Sequence, residues 1–266
     1  MLYSKLLTAL YRLRYGEPAE VPEGDASALV LIADGVGGFD LSTFGLRHVV
    51  GRGRGTQLVR GVAWGHGWGR WHVDLSNVAN HRAKSQALAD QVMAWRGEYP
   101  GAPVFLVGKS GGTGIVVGAL EALPERAVEA VVLLAPALSP GYDLSWALRA
   151  VDRELVVFWS PLDVIILGLG TWLFGTIDRV HSVGAGLVGF RVPPNLDDEG
   201  RRRYAKLRQV RWNFAMISSG YFGGHIGTDS PAFLRKYVLP LLRTGPANPT
   251  AKPTPGSSHP RPAPII

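Results

Sequence analysis

The stretch Pro103-Val104-Phe105-Leu106-Val107-Gly108-Lys109-Ser110-Gly111-Gly112-Thr113-Gly114 decides how the rest of the chain is read. Four apolar residues, three of them strand formers, drive straight into Gly-Lys-Ser-Gly-Gly. That order predicts a strand, a sharp turn carrying one serine, and a helix. A serine in such a turn takes a strained backbone conformation, and its neighbours must be small for strand and helix to approach each other. Gly108 and Gly112, two residues either side of Ser110, meet that demand. Gly114 and Gly118 continue at four-residue spacing, which predicts a helix packed closely on a sheet.

Two other readings share these letters. Gly-Lys-Ser also ends a phosphate-binding P-loop, G-x-x-x-x-G-K-[ST]. Its first glycine would fall at position 103, which is Pro103, and the residues between, Val-Phe-Leu-Val, are strand material rather than an anion cradle. The P-loop class also needs an apolar strand ending in Asp beside the turn. Neither residues 130–135 nor 155–159 end that way. The third reading is a tight strand-to-helix turn with no chemistry.

Working outward, residues 28–33, 58–64, 130–135 and 154–159 read as apolar strands. Residues 179–183 and 215–218 are weaker strand candidates. Helical spacing covers 76–95, 111–123, 144–151 and 231–242. Fully apolar strands alternating with helices predict a mostly parallel sheet covered on both faces. Ligands in such sheets bind where strands deliver their carboxyl ends. The expected organisation is an N-terminal helix and connection over 1–25, one α/β domain over 26–243, and a Pro-rich tail over 244–266. The tail is too poor in apolar residues to offset its ordering entropy, so disorder is expected. The run 164–177, fourteen residues without a charge, is too short to span a bilayer. It reads as a buried or pocket-lining segment and a candidate lid.

The composition, 46% hydrophobic and 18% charged over 266 residues, suits one large globular domain. The absence of cysteine excludes disulfides, thiolate metal sites and a cysteine nucleophile. It fits a reducing, cytoplasmic setting. The first fourteen residues lack the pattern of a secretory signal. They read as a short amphipathic helix with Lys5, Arg12 and Arg14 on its polar face. The net charge of +7 is concentrated at Arg201, Arg202, Arg203, Lys206, Arg208 and Arg211 and in the tail. Without aromatic interleaving or a known module, that stretch reads as a solvated helix face, not a nucleic-acid surface. Weak contact with an anionic membrane surface is the functional alternative.

A serine hydroxyl is a weak nucleophile and needs a base that a third group orients. After Ser110, the strand 154–159 runs into Ser160-Pro161-Leu162-Asp163, where an orienting carboxylate would stand. Three histidines follow Ser110: His181, within a candidate strand, His259, in the tail, and His225, in the glycine-rich run before the last helix. Of these three, His225 is the best placed to act as a base; that the base follows the serine in the chain is what a family resemblance implies. Developing negative charge needs backbone N–H donors. Gly111 follows the serine directly, and Asp34-Gly-Val-Gly-Gly follows the first strand. The run Trp64-Gly-His-Gly-Trp-Gly-Arg-Trp71 offers His66 and Trp68 as a pocket wall, or a loop of aromatic packing. No H-E-x-x-H or cysteine/histidine spacing is present, so no metal is expected.

G-x-S-x-G after a strand, then an acid, then a histidine resembles the α/β-hydrolase family over about residues 26–243. The resemblance implies Ser110 as nucleophile, Asp163 as acid and His225 as base, with Gly111 and Val36 as oxyanion donors and no cofactor. It implies serine acyl transfer through an acyl-enzyme but no particular substrate; the apolar, aromatic-rich loops favour a small ester or apolar acyl substrate over a highly charged one. A thioesterase-like or non-catalytic member of the same fold is the alternative. Two positions depart from the family's pattern. Lys109 stands where an aromatic residue or histidine is common, and a hydrolase elbow gives its charge no required role. Asp34 stands where a histidine usually precedes the oxyanion glycines.

Overall fold

The computed structural model describes residues 21–52, 56–67 and 69–243, together with Leu13. The N-terminal helix, Trp68 and the tail from Thr244 lie outside the described residues.

Six strands form one parallel sheet in the order β2-β1-β3-β4-β5-β6. They are β1 (Ala28–Ala33), β2 (Gln57–Gly61), β3 (Val104–Lys109), β4 (Val128–Leu134), β5 (Val151–Trp159) and β6 (Leu207–Arg211). Parallel neighbours need crossovers, and helices supply most of them: α1 (Leu41–Arg52), α2 (Trp71–Ser76), α3 (Val78–Glu98), α4 (Gly112–Ala122) and α5 (Ser145–Ala150). The last helical run starts at Pro231, passes through a π turn at Leu234–Val238 and ends in a 3₁₀ turn at Leu239–Leu242.

The apolar strands are explained by two cores. Along β1, Leu29, Leu31 and Ala33 pack with α3, α4 and α5, while Val30 and Ile32 pack with α1 and the last helical run. In β3, Leu106 joins the first core, and Phe105 and Val107 join the second. A strand buried on both faces has no room for polar alternation. Truncating Leu106 to Ala would cost about 2–5 kcal/mol by the usual cavity cost.

After β1 the chain moves outward to β2, then crosses back so that β3 lies on the other side of β1. Two neighbouring strands thus leave in opposite directions, opening a crevice at their carboxyl ends. With Ser110 at the end of β3 beside this crevice, the chain has the α/β-hydrolase fold.

Several sequence expectations are corrected. The basic stretch 201–211 is not one helix face. A short helix, Asp198–Tyr204, turns into edge strand β6. Residues 215–218 form part of a 3₁₀ helix, Phe214–Ser219, capped by the Asn213 side chain. Residues 179–183 form bends and irregular loop, beginning where the Thr176 amide donates to the Val180 carbonyl and closes a local loop. The uncharged run 164–177 is not buried. Its π turn Ile165–Gly170 and short helix Thr171–Phe174 anchor through Leu167, Gly168 and Thr171 and leave most large side chains exposed. Gly114 and Gly118 do not serve the sheet. A Cβ at Gly114 would meet Ile177, and one at Gly118 would meet Ser85 of α3.

Candidate active site

Ser110 follows β3 with φ of 50°, in the left-handed region that side chains disfavour. Neighbouring bonds hold it there. Its amide donates to the Leu134 carbonyl at 2.9 Å, and its carbonyl accepts from the Thr113 amide at 3.0 Å. The flanking glycines are steric necessities. A Cβ on Gly108 would lie 2.8 Å from the Thr113 Cα, and one on Gly112 only 2.2 Å from the Ala33 carbonyl oxygen. The turn therefore presses α4 against the end of β1 and lifts the serine into the crevice. Residues 104–107 are central strand and make no phosphate-cradling loop.

The loop after β5 brings Asp163, nearly fully buried, to the His225 ring, whose Nδ1 lies 2.6 Å from Asp163 Oδ2. A carboxylate only accepts, so Nδ1–H donates, and Nε2 is left facing Ser110 Oγ at 3.0 Å. The structure thus brings together three residues that lie far apart in the chain. His181 is on an exposed bend with its ring on the Trp172 carbonyl, and Asp178 accepts from the Ser139 amide and hydroxyl.

The loop after β1 lies against the serine. A Cβ on Gly35 would be 3.3 Å from Ser110 Cβ, and one on Gly111 would meet the Val36 side chain at 2.6 Å. Buried Asp74 of α2 fixes this loop from behind. Its Oδ2 accepts the Gly37 amide at 2.8 Å, and its Oδ1 accepts the His66 amide at 2.6 Å and ring Nδ1 at 2.9 Å. His66 also meets Asn77 through Nε2 at 3.2 Å. His66 is thus a tether behind the loop. The indole of Trp64 donates to the Asp34 carbonyl at 2.8 Å.

Lys109 and Asp34, the two departures from the family's pattern, belong to one buried polar cluster. Lys109 is 4% exposed. Its ammonium donates to the His225 carbonyl and the Thr228 hydroxyl and lies 3.8 Å from Asp229 Oδ2. Asp229 in turn accepts from the Ser42 hydroxyl. Asp34 caps α1, accepting from the Ser42 amide at 2.9 Å, the Thr43 amide at 3.2 Å and the Thr43 hydroxyl. Burial pushes the Asp34 carboxyl up to about 7 and outweighs the donors that pull it down, with Asp229 and Asp40 adding to the rise. Burial also raises Asp40, against the pull of Arg47.

Reading by residue type missed Asp74, Thr228 and Asp229 and gave the Lys109 charge no role. One signal was available. A lysine closing an otherwise apolar strand is headed for the interior, and a buried ammonium needs partners.

No family model matches the sequence, and comparison with curated proteins finds no relative. Solved structures resemble the fold at low identity. One is a Trichoderma reesei cutinase in complex with a C11Y4 phosphonate inhibitor, 19% identical over 59% of this chain and 70% of that one, TM-score 0.42. Another is esterase PE8, 16% identical over 84% and 97%, TM-score 0.49. A third is the poly(3-hydroxybutyrate) depolymerase LpqC of Bordetella parapertussis, 15% identical over 79% and 80%, TM-score 0.47. At that distance no activity carries over.

Proposed function

We propose that the protein hydrolyses carboxylic esters with Ser110 as nucleophile, His225 as base and Asp163 as the acid that orients the base. The observation that supports this most is the hydrogen-bonded chain Asp163–His225–Ser110 at the crevice of the sheet. The Ser110 Oγ attacks the ester carbonyl carbon as its proton passes to His225 Nε2. Negative charge develops on the carbonyl oxygen, where the amides of Gly111 and Val36 are the proposed donors. The tetrahedral species collapses, His225 returns the proton to the leaving alcohol, and an acyl-serine remains. Water then gives a proton to His225 and attacks the acyl carbon, releasing the acid and restoring the serine. Every step uses groups of this chain and water.

A fluorophosphonate probe tests the reading, because it reports an activated serine without knowledge of the substrate. The expected result is a single adduct on Ser110 that Ser110→Ala removes while the fold is kept. Unchanged labelling of the Ala variant, or no labelling of the wild type, overturns it.

A further inference from the structure

Two exposed segments at the carboxyl edge of the sheet carry large apolar side chains. The first follows Asp163 and includes Ile165 at 78% exposure, Leu169, Trp172 and Phe174. The second runs through Phe214 and surrounds His225 with Phe222 and Ile226, each 68% exposed. They join into one rim. A Cβ on Gly223 would touch Leu162, linking the two segments. On the other side Phe174 meets Trp71 edge to face at 5.0 Å, and Trp71 stands beside Gly37 of the loop against Ser110. The rim therefore borders the loops that carry Asp163, His225 and the residues against Ser110.

Its charge is one-sided. No Asp, Glu, Lys or Arg occurs between Asp163 and Asp178, or from Trp212 to Thr228. Asp163 is taken by His225, and Asp178 by Ser139. The border carries exposed guanidinium groups instead. Arg179 lies on the Phe174 carbonyl at 3.3 Å, and Arg211 stands 5.6 Å from the centre of the Trp159 ring. Neither makes an ion pair with a carboxylate among the described residues. A contiguous apolar face of this kind calls for an occupant. Aromatic and aliphatic tips bordered by arginine complement a lipid surface with anionic headgroups, where apolar area and cationic attraction act together. Among the described residues no helix is long and apolar enough to cross a membrane.

We propose that the rim formed by residues 162–174 and 214–226 docks the protein, serine side down, onto an anionic lipid–water interface. The ester at such an interface would then meet Ser110 without leaving the lipid phase; that consequence rests on the hydrolase reading, whereas the docking itself does not.

The test is co-sedimentation of the full chain with sucrose-loaded vesicles of diether-linked phosphoglycerol and phosphocholine lipids, which contain no carboxylic ester to hydrolyse. The wild type should bind mixed vesicles at least several-fold more tightly than the phosphocholine lipid alone, with binding weakened by salt. The double variant Ile165→Asp/Trp172→Asp should lose at least tenfold in vesicle binding while its circular dichroism spectrum and melting temperature stay close to those of the wild type. The second variant, Arg179→Gln/Arg211→Gln, leaves the apolar tips intact and should lose the preference for the phosphoglycerol lipid. Failure of the wild type to sediment with either lipid overturns the proposal, as does equal binding by wild type and the Asp variant. A dimer that the Asp variant dissociates, with no vesicle binding, would assign the rim to a second copy of this chain. Because binding is read on lipid without a carboxylic ester, a chain that docks but takes no fluorophosphonate would sink the hydrolase reading alone.

Discussion

The Lys109 ammonium donates to the backbone carbonyl of His225, 116 residues further along the chain. The residue immediately before the nucleophile candidate thus holds the loop of the base candidate. The same ammonium reaches Thr228 and Asp229, so the turn from His225 to the last helical run is tied to the end of β3. Asp229 and Ser42 extend the tie to the start of α1, which Asp34, the residue after β1, caps.

Lys109→Met should therefore slow fluorophosphonate labelling and ester turnover by at least tenfold. Removing the cation leaves Asp229 buried without its cationic partner and the His225 carbonyl without a donor. The loss should appear mainly in kcat, since the ammonium reaches the loop and not the substrate. Lys109→Arg should recover part of it. Mg-ATP should leave the melting temperature unchanged. Full activity in Lys109→Met would return this charge to the silent role assigned by residue type alone.

Asp163→Asn should lower turnover by ~10⁴-fold, the scale seen when a triad acid can no longer hold the imidazole tautomer. Asp178→Asn should leave kcat within a few-fold and affect only stability, because its carboxylate holds Ser139. The comparison of the two kcat values decides which aspartate orients His225.

Asp34 supplies a pH test of the buried cluster. Its folded value of about 7 lies above the 3.8 of the unfolded chain. Between these values the folded state holds more protons than the unfolded one, so stability falls as pH rises. The contribution is fully present below about pH 4 and is lost as pH passes through about 7. Asp34→Asn removes the titration. The wild-type melting temperature minus that of the variant should therefore decline from pH 4 to 8, by roughly 5 °C for a few kcal/mol. A difference that stays flat, or rises with pH, would show that the Ser42 and Thr43 donors overcome burial.

Asp74→Ala should reduce kcat by about ten- to a hundredfold with little change in KM, since Gly37 loses its acceptor and the loop bearing Val36 loses its support. His66→Ala removes one donor to the same carboxylate and should cost less. If Asp74→Ala is silent in steady-state kinetics while His66→Ala is not, His66 acts at the substrate and not behind the loop.

The local readings that succeeded depend on short stretches of chain. Val104 to Gly108 read best as a buried strand, and Ser110 between Gly108 and Gly112 as a tight turn, because hydrophobic pattern and glycine sterics act within a few residues. The candidates Ser110, Asp163 and His225 could be picked out through the family resemblance together with their places just past an apolar strand or before the last helical run, and their roles remain the proposal. The readings that failed lacked such local determination. Edge strand β6 carries Arg208, Gln209 and Arg211, so its pattern is that of a polar helix face until β5 is there to pair with it. The run 164–177 looks buried by composition, yet its exposure is set by where the loop after β5 leaves the sheet.

The amino-acid sequence by itself determined the parallel sheet, its two-sided core and the sharp turn at Ser110, since these follow from strand hydrophobicity and from glycine where no Cβ fits. Only the tertiary structure decided that Asp163, His225 and Ser110 lie within hydrogen-bonding reach, that Lys109 and Asp74 support the loops around them, and that the apolar loops form one exposed rim. Those relations join residues tens to more than a hundred positions apart. They depend on strand order and crossover geometry, which bring together side chains that no local pattern relates.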